Sequence, residues 1–272
     1  TYTYGDLDLE IQKAATGFQK MGAVKGDRVG LMLPNVPYYP ILYFALLKLG
    51  AVVVNFNPLY AEQEVKALIN LVGLKIMATV DLVPIYTNLE NRLEDTTLET
   101  ILLCPFKDVL PFPKSILFPL LKRKNIAKPK ASTPVVTYKE LTSSGTDFTK
   151  ASIDPENDLA VIQFTGGTTG IPKGAMLSHA NISINCQQVS DWFPEIEFGK
   201  AKIVAVLPFF HVFAMTGCLN FPILTGMEVV KSQYVLARDG MQMFAVWDLN
   251  AGNTDLCWSL GIRNSMDKSL AL

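Results

Sequence analysis

Hydrophobic and polar positions along the first hundred residues alternate in the way that a parallel β-sheet covered by helices requires. Short apolar runs typical of buried strands lie at residues 28–33, 51–56 and 74–80. Longer segments with helical spacing of apolar residues separate them, including residues 61–72. The repeated order of strand, helix and strand predicts right-handed β-α-β crossovers and an α/β fold.

The start of the chain predicts two further elements and their ends. The alternating Thr-Tyr-Thr-Tyr of residues 1–4 is typical of a strand. We expect Asp6 to cap the helix that follows and Gly22 to end it. A second helix is predicted over residues 39–49, closed by Gly50.

The alternation breaks between residues 105 and 139, which contain six prolines and eight cationic side chains against one acidic residue, Asp108. We predict an excursion or linker over residues 105–150. Within it, residues 112–124 interleave large apolar side chains with cations, a pattern that suits an anionic membrane surface. We therefore expect peripheral membrane contact through residues 105–130. A solvated basic loop packed by a few leucines explains the pattern equally well, and both interpretations stay open.

Alternation of strand and helix resumes after residue 150, with predicted strands at residues 159–164, 175–178 and 203–207 and a helix at 181–189. The last forty residues show no sustained periodicity. The predicted organisation is a first α/β subdomain at 1–104, the excursion at 105–150, a second α/β subdomain at 151–231 and an unassigned, aberrant tail at 232–272.

Two long uncharged runs, residues 29–47 and 203–227, raise the question of membrane spans. Hydrophobic residues make up 49% of the chain, and the mean hydropathy is +0.25. Prolines and polar residues, such as Pro34 and Pro208, interrupt both runs. We therefore expect each run to divide into a buried strand and a buried helix.

The net charge and the cysteines of the chain bear on its binding partners and on its cellular location. The net charge of −1 gives the chain no overall excess of positive charge for nucleic acid, so no nucleic-acid partner is predicted. The four cysteines lie far apart without a C-x-x-C pair, and there are only two histidines, which gives a zinc site little support. We expect a reducing, cytoplasmic location with peripheral attachment to the inner face of a membrane.

Residues 163–174, Gln-Phe-Thr-Gly-Gly-Thr-Thr-Gly-Ile-Pro-Lys-Gly, combine the groups that bind a triphosphate. Glycines let backbone N–H groups approach an anion, hydroxyls add short donors, and the lysine adds a mobile positive charge. The spacing differs from the Walker P-loop. A plain Gly/Thr-rich turn is the simpler interpretation, and the density of the pattern argues against it. The candidate residues are Thr165, Gly166, Gly167, Thr168, Thr169, Gly170 and Lys173.

Several segments, in order, resemble the N-terminal portion of an adenylate-forming enzyme of the AMP-binding superfamily, and within it a long-chain acyl-CoA synthetase. The proline-rich residues 108–124 resemble the insertion of long-chain members. The resemblance covers about residues 1–231 and implies mostly parallel sheets flanked by helices. The matching segments are residues 1–7, 26–35, 50–58, 164–182 and 207–213.

The resemblance implies that a long-chain fatty acid reacts with Mg-ATP to give an acyl-adenylate, from which coenzyme A displaces AMP. The backbone amides of residues 166–170, the hydroxyls of Thr168 and Thr169, and Lys173 would hold the β- and γ-phosphates. Thr165 would lie beside the magnesium ion, and His211 would line the carboxylate and adenylate pocket. His211 and Lys173 are thus the implied catalytic residues.

Other side chains near these motifs leave their roles open. The resemblance allows an acyl tunnel lined by apolar residues after the third predicted strand of the second subdomain, and plain core packing explains them equally well. His179 is predicted to be structural, ending a strand after Ser178. The tunnel candidates are Phe209, Phe210, Phe213 and Met215.

The sequence also departs from the family pattern, since the later motifs and the small C-terminal domain with its catalytic lysine are absent from it. We expect adenylation by this chain to be weak or lost, and we hypothesise a truncated or frame-disrupted reading after about Lys231. A non-catalytic remnant that still binds nucleotide, another adenylate-forming ligase such as an aryl-CoA ligase, and an unrelated phosphate-binding protein stay open as alternatives.

Overall fold

The computed structural model describes residues 2–91, 93–165, 173–231 and 245–247 of the chain. The chain divides into two compact units, residues 1–180 and residues 181–272. The division after Ala180 differs from the predicted boundaries after residues 104 and 150, because the strands on both sides of those positions join one sheet.

The first unit is built on a seven-stranded sheet. All neighbouring strands pair in parallel except the last two in the order, which form an antiparallel hairpin. The mostly parallel α/β fold predicted from the sequence is thereby confirmed. The strands are β1 (Arg28–Met32), β2 (Val52–Asn55), β3 (Ile76–Val80), β4 (Thr100–Cys104), β5 (Val135–Thr137), β6 (Leu159–Thr165) and β7 (Lys173–Ser178), in the order β5-β4-β3-β1-β2-β6-β7.

Helices connect these strands and cover the sheet. The valines of β2 are buried without alternation, which is typical of a strand covered on both faces. The second helix packs on β1 and β2, and the fourth on β3. The helices of this unit are α1 (Tyr4–Lys20), α2 (Tyr38–Lys48), α3 (Glu62–Val72), α4 (Val83–Glu90), α5 (Lys114–Leu121) and α6 (Tyr138–Thr142), with 3-10 turns at Leu93–Asp95, Phe106–Val109 and Arg123–Asn125.

The first helix corrects two predictions. Helix α1 already begins at Tyr4, so the predicted strand at residues 1–4 is wrong. The cap is Thr3 and not Asp6, because the Thr3 hydroxyl accepts from the Asp6 backbone N–H (3.1 Å) while the Asp6 carboxylate accepts from the Thr3 backbone N–H (2.9 Å). This capping box satisfies two N–H groups at the helix start and outweighs the strand preference of alternating Thr and Tyr. Gly22, at φ +89°, follows the helix end as predicted.

The predicted excursion is held to the sheet unit at both of its ends. Near its start, the Asp81 carboxylate accepts from the Phe106 backbone N–H at 2.6 Å. Near its end, one oxygen of Glu90 accepts from the Lys130 backbone N–H and from the Thr133 hydroxyl, both at 2.8 Å. The chain then rejoins the sheet as β5, so the part outside the sheet ends earlier than the predicted residue 150.

The second unit contains a three-stranded sheet of order β10-β8-β9. The uncharged run 203–227 divides into β8, a helical segment and a turn, as predicted. Within the described residues, the longest apolar helices are too short or too polar to cross a membrane. The elements of the second unit, including the helix that leads into it, are α7 (His179–Trp192), β8 (Lys202–Ala205), α8 (Val212–Ala214), a π-helical turn (Met215–Asn220), α9 (Phe221–Thr225), β9 (Glu228–Lys231) and β10 (Ala245–Trp247).

The described cysteines are inert core residues. Cys104, Cys186 and Cys218 are buried free thiols. Burial raises the pKa of the Cys186 and Cys218 thiols to about 11, so both stay protonated at neutral pH. Cys257 lies outside the described residues.

Candidate functional site

The antiparallel hairpin of β6 and β7 brings two of the predicted phosphate-binding residues together. Thr165 ends β6, Lys173 begins β7, and the two are register partners. The Thr165 hydroxyl donates to the backbone carbonyl oxygen of Lys173 at 3.3 Å. Residues 166–172 join these two ends and lie outside the described residues. The hairpin therefore presents a hydroxyl and an ammonium group side by side where the glycine-rich segment begins and ends.

The face of the sheet that carries these groups follows from strand geometry. Side chains two residues apart on a strand share a face, and so do directly paired residues on neighbouring strands. Gln163, Thr165 and Lys173 therefore lie on one face of the hairpin. Gln163 is half-buried, whereas Thr165 and Lys173 are exposed. A polyanion can reach Thr165 and Lys173 from solvent, while Gln163 lies below them.

Gly174 allows close packing directly behind Lys173. A Cβ atom built on Gly174 would lie 3.0 Å from the Cγ2 atom of Ile162 on β6. Because that distance is tighter than an ordinary carbon contact, a larger residue here would require the Ile162 side chain to shift by a few tenths of an ångström. The glycine after Lys173 thus lets the two strands pack without that shift.

Five of the predicted binding residues lie in the segment that the structure does not describe. Their roles in holding phosphate oxygens stay predictions from the sequence. They are Gly166, Gly167, Thr168, Thr169 and Gly170.

His211, the predicted pocket histidine, is an exposed residue of the second unit. It caps helix α8, since its Nδ1 accepts from the Phe213 backbone N–H at 3.4 Å. A ring that accepts at Nδ1 carries its proton on Nε2 in the neutral form, so Nε2 is the atom that can donate to a ligand. Phe209 and Met215 are buried, whereas Phe213 is about half exposed. The burial of Phe209 and Met215 is compatible with core packing, and a role of these residues in an acyl tunnel stays a prediction.

His179 begins helix α7 instead of ending a strand. Its backbone N–H donates to the Asp158 carbonyl oxygen at 3.3 Å. Burial lowers the pKa of its imidazole, and the nearby Asp158 carboxylate partly opposes that shift. These contacts give His179 the structural setting that the sequence predicted.

The sequence did not reveal a hydrogen-bonded chain of side chains beneath the hairpin. The Tyr39 hydroxyl donates to the Asn55 side-chain oxygen at 2.7 Å, and the Asn55 amide donates to the Gln163 side-chain oxygen at 3.0 Å. Asn55 is 1% exposed and ends a strand that is otherwise valine. An amide at the end of an all-valine strand was the one available signal.

Metal ligands are scarce in the described part of the chain. No group of three or more His, Cys, Asp and Glu side chains there could hold a metal ion. The Thr165 hydroxyl is a single exposed oxygen. Mg²⁺ at ATP sites takes few protein oxygens and completes its shell with phosphates and water, so one hydroxyl fits such an ion as a partial ligand.

The mostly parallel sheet, with Thr165 and Lys173 at the two ends of a Gly/Thr-rich segment, is typical of α/β proteins that bind nucleotides. The family model described as AMP-binding enzyme matches residues 1–250, and the chain belongs to that family. This match extends past residue 231, the predicted limit of the resemblance, into the segment that the sequence left unassigned.

Several curated relatives carry the name long-chain-fatty-acid–CoA ligase. The chain is 36% identical over 231 residues to a long-chain-fatty-acid–CoA ligase of Bacillus subtilis, which covers 84% of this chain and 41% of that protein. It is 36% identical over 218 residues to the enzyme of that name from Escherichia coli O157:H7, and the alignment covers 78% of this chain and 38% of that enzyme. The solved structure of a long-chain-fatty-acid-CoA ligase from Archaeoglobus fulgidus superposes with a TM-score of 0.68 at 26% identity. The superposition covers 85% of this chain and 40% of that chain. The chain thus spans about two fifths of the length of these relatives.

Proposed function

We propose that this chain supplies the triphosphate-binding part of an ATP-dependent long-chain fatty-acid–CoA ligase. The single observation that carries the proposal is the pairing of Thr165 with Lys173 at the ends of the glycine-rich segment. The family match and the names of the relatives support it. In the proposed reaction a carboxylate oxygen attacks the α-phosphorus of ATP and pyrophosphate leaves. The thiol of coenzyme A then attacks the acyl carbon, and AMP leaves.

In the proposed reaction the negatively charged carboxylate has to approach the negatively charged triphosphate, so the protein has to offset their repulsion. The Lys173 ammonium would neutralise the β- and γ-phosphates as negative charge moves onto pyrophosphate. The backbone amides of residues 166–170 and the hydroxyls of Thr168 and Thr169 would hold the same oxygens. A bound Mg²⁺ would add positive charge on the phosphates, with the Thr165 hydroxyl as its protein ligand. His211 would donate from Nε2 to the carboxylate or adenylate oxygen.

Isotope exchange between ATP and pyrophosphate tests this function. We expect any exchange by the chain to be weak, in line with the sequence-based expectation, and to depend more on a long-chain acid such as palmitate than on an aryl acid such as coumarate. Coumarate-dependent exchange would favour the aryl-CoA ligase alternative. ATP binding without any exchange would favour the non-catalytic remnant. A chain that neither binds nor exchanges ATP would contradict the proposal.

Peripheral membrane contact is a second proposal, and the surface of α5 supports it. The inner side of this helix is attached through Phe118, whose ring centroid lies 5.5 Å from that of Phe106. Leu120 and Leu121 at its end are more than 70% exposed, and Phe112 just before the helix is 80% exposed. Exposed cations flank them at Lys114, Lys122, Arg123 and Lys124. Apolar side chains ringed by cations fit the interface of an anionic bilayer.

Charge removal at this surface is expected to weaken membrane binding. Replacing Lys122, Arg123 and Lys124 by glutamine should lower sedimentation with phosphatidylserine-containing vesicles at least about tenfold, since each cation contributes about 1 kcal/mol. The matched control replaces three exposed lysines elsewhere, Lys75, Lys139 and Lys150, with the same change in net charge. Equal sedimentation of the two triple variants would show that α5 is only a solvated basic helix.

A further inference from the structure

Two hydrogen bonds join the side chains of Tyr39, Asn55 and Gln163. The last of these residues, Gln163, lies two positions before Thr165 and on the same face of the sheet. The hydrogen-bonded set crosses three elements, since Tyr39 lies on α2, Asn55 ends β2 and Gln163 lies on β6. Asn55 and Gln163 are register partners, so their amides meet directly across the parallel pair. Tyr39 is fully buried and Asn55 nearly so. The link therefore runs from the protein core to the hairpin that presents Thr165 and Lys173.

The chain of donors and acceptors has one direction. Burial raises the pKa of the Tyr39 phenol well above its ordinary value, so the hydroxyl stays protonated and can donate. Its acceptor, the Asn55 oxygen, leaves the Asn55 amide nitrogen facing the Gln163 oxygen. In the observed orientation, the Tyr39 hydroxyl, the Asn55 amide and the Gln163 oxygen form one continuous set of hydrogen bonds. The Tyr39 hydroxyl thus holds the Asn55 side chain, and Asn55 in turn holds the oxygen of Gln163.

These polar groups are unusual in their surroundings. Val52, Val53 and Val54 precede Asn55 and are buried, and an apolar residue in its place would avoid the cost of burying an amide. What the amide adds is a directional bond to β6, which holds the pairing of Asn55 with Gln163 in one register. A slip of one residue would turn Thr165 to the opposite face of the sheet.

We propose that Tyr39, Asn55 and Gln163 are positioning residues for the triphosphate site, which fix the end of β6 so that Thr165 and Lys173 face the phosphates together. The inference rests on the proposed function, because it assumes that this hairpin binds ATP. These residues act through the backbone of β6 and through Gln163, and Tyr39 and Asn55 lie below the surface that the ligand contacts.

Titration of MgATP against the full chain and its variants tests the inference. Tyr39→Phe removes only the first donor, and Gln163→Leu removes the last acceptor. We expect either change to weaken ATP binding about five- to tenfold, the effect of losing one oriented buried hydrogen bond. Thr79→Val is the matched control. Thr79 is fully buried in β3, and within the described part of the chain its hydroxyl makes no hydrogen bond, so ATP affinity should not change.

A double-mutant cycle separates positioning from general stability. If Tyr39 acts through the placement of Lys173, the effect of Tyr39→Phe on ATP affinity should fall to within about twofold in a Lys173→Ala background. Loss of thermal stability in Tyr39→Phe and Gln163→Leu with unchanged ATP affinity would overturn the inference, while weaker binding by Lys173→Ala alone would leave the proposed function intact. If Gln163→Leu does not fold, the ATP affinity of Tyr39→Phe alone tests the inference. Absence of ATP binding by the unaltered chain would overturn both the inference and the proposed function.

Discussion

Replacing Gly17 by alanine is expected to destabilise the first unit by about 3 kcal/mol, although alanine is the better helix former. Gly17 lies in α1 where that helix meets α6. A Cβ atom on Gly17 would lie 2.1 Å from the backbone oxygen of Leu141 and 2.8 Å from its Cγ atom. Because the nearest atom belongs to the backbone, a rotamer change cannot relieve the overlap, and α6 has to move away from α1. Urea denaturation followed by circular dichroism measures the change.

Gly5 supplies the control for this experiment on the same helix. A Cβ atom there would meet only the Thr3 hydroxyl, at an ordinary 3.7 Å. Gly5→Ala should therefore leave the urea midpoint unchanged or raise it slightly. Equal stabilities of the Gly17 and Gly5 variants would show that α1 and α6 do not pack as described.

Replacing Lys173 by alanine is expected to weaken MgATP binding at least about tenfold, because a charge-assisted hydrogen bond to phosphate contributes about 1.5–3 kcal/mol. The side chain is exposed, so the thermal midpoint should stay within about one degree of the original. Binding measured at rising salt should also fall less steeply in the variant, since one cation fewer is screened. Lys139→Ala, at an exposed lysine of α6, is the control with the same loss of charge. If both variants bind ATP equally, Lys173 has no place in the phosphate site.

The elements with strong local signals were predictable from the sequence. The buried strands β1, β2 and β3 are continuous apolar runs, and α2 lies within one residue of its predicted bounds at each end. Their parallel pairing followed from the alternation of strand and helix. The prediction failed at residues 1–4, where a capping box between Thr3 and Asp6 overrode the local strand preference.

Features that depend on residues far apart in the sequence could not be predicted from the local pattern of apolar and polar positions. Strand β5 has only three residues, all half-buried, and becomes a strand by pairing with β4. The Tyr39–Asn55 hydrogen bond joins residues sixteen positions apart, and the Asn55–Gln163 bond joins residues 108 positions apart. For the candidate site, the glycine-rich segment predicted Thr165 and Lys173, which the structure shows as register partners. The hydrogen bonds of Tyr39, Asn55 and Gln163 depend on strand register, which one sequence does not encode locally.

Chemical footprinting of Lys173 tests the central claim most directly, the claim that ATP phosphates bind at the β6–β7 hairpin. The folded chain is acetylated briefly with and without MgATP, and the modification of each lysine is read by mass spectrometry. We expect MgATP to protect Lys173, while the exposed Lys139 and Lys150 are labelled equally in both samples. Unchanged labelling of Lys173 at saturating MgATP would show that the phosphates do not bind at this hairpin.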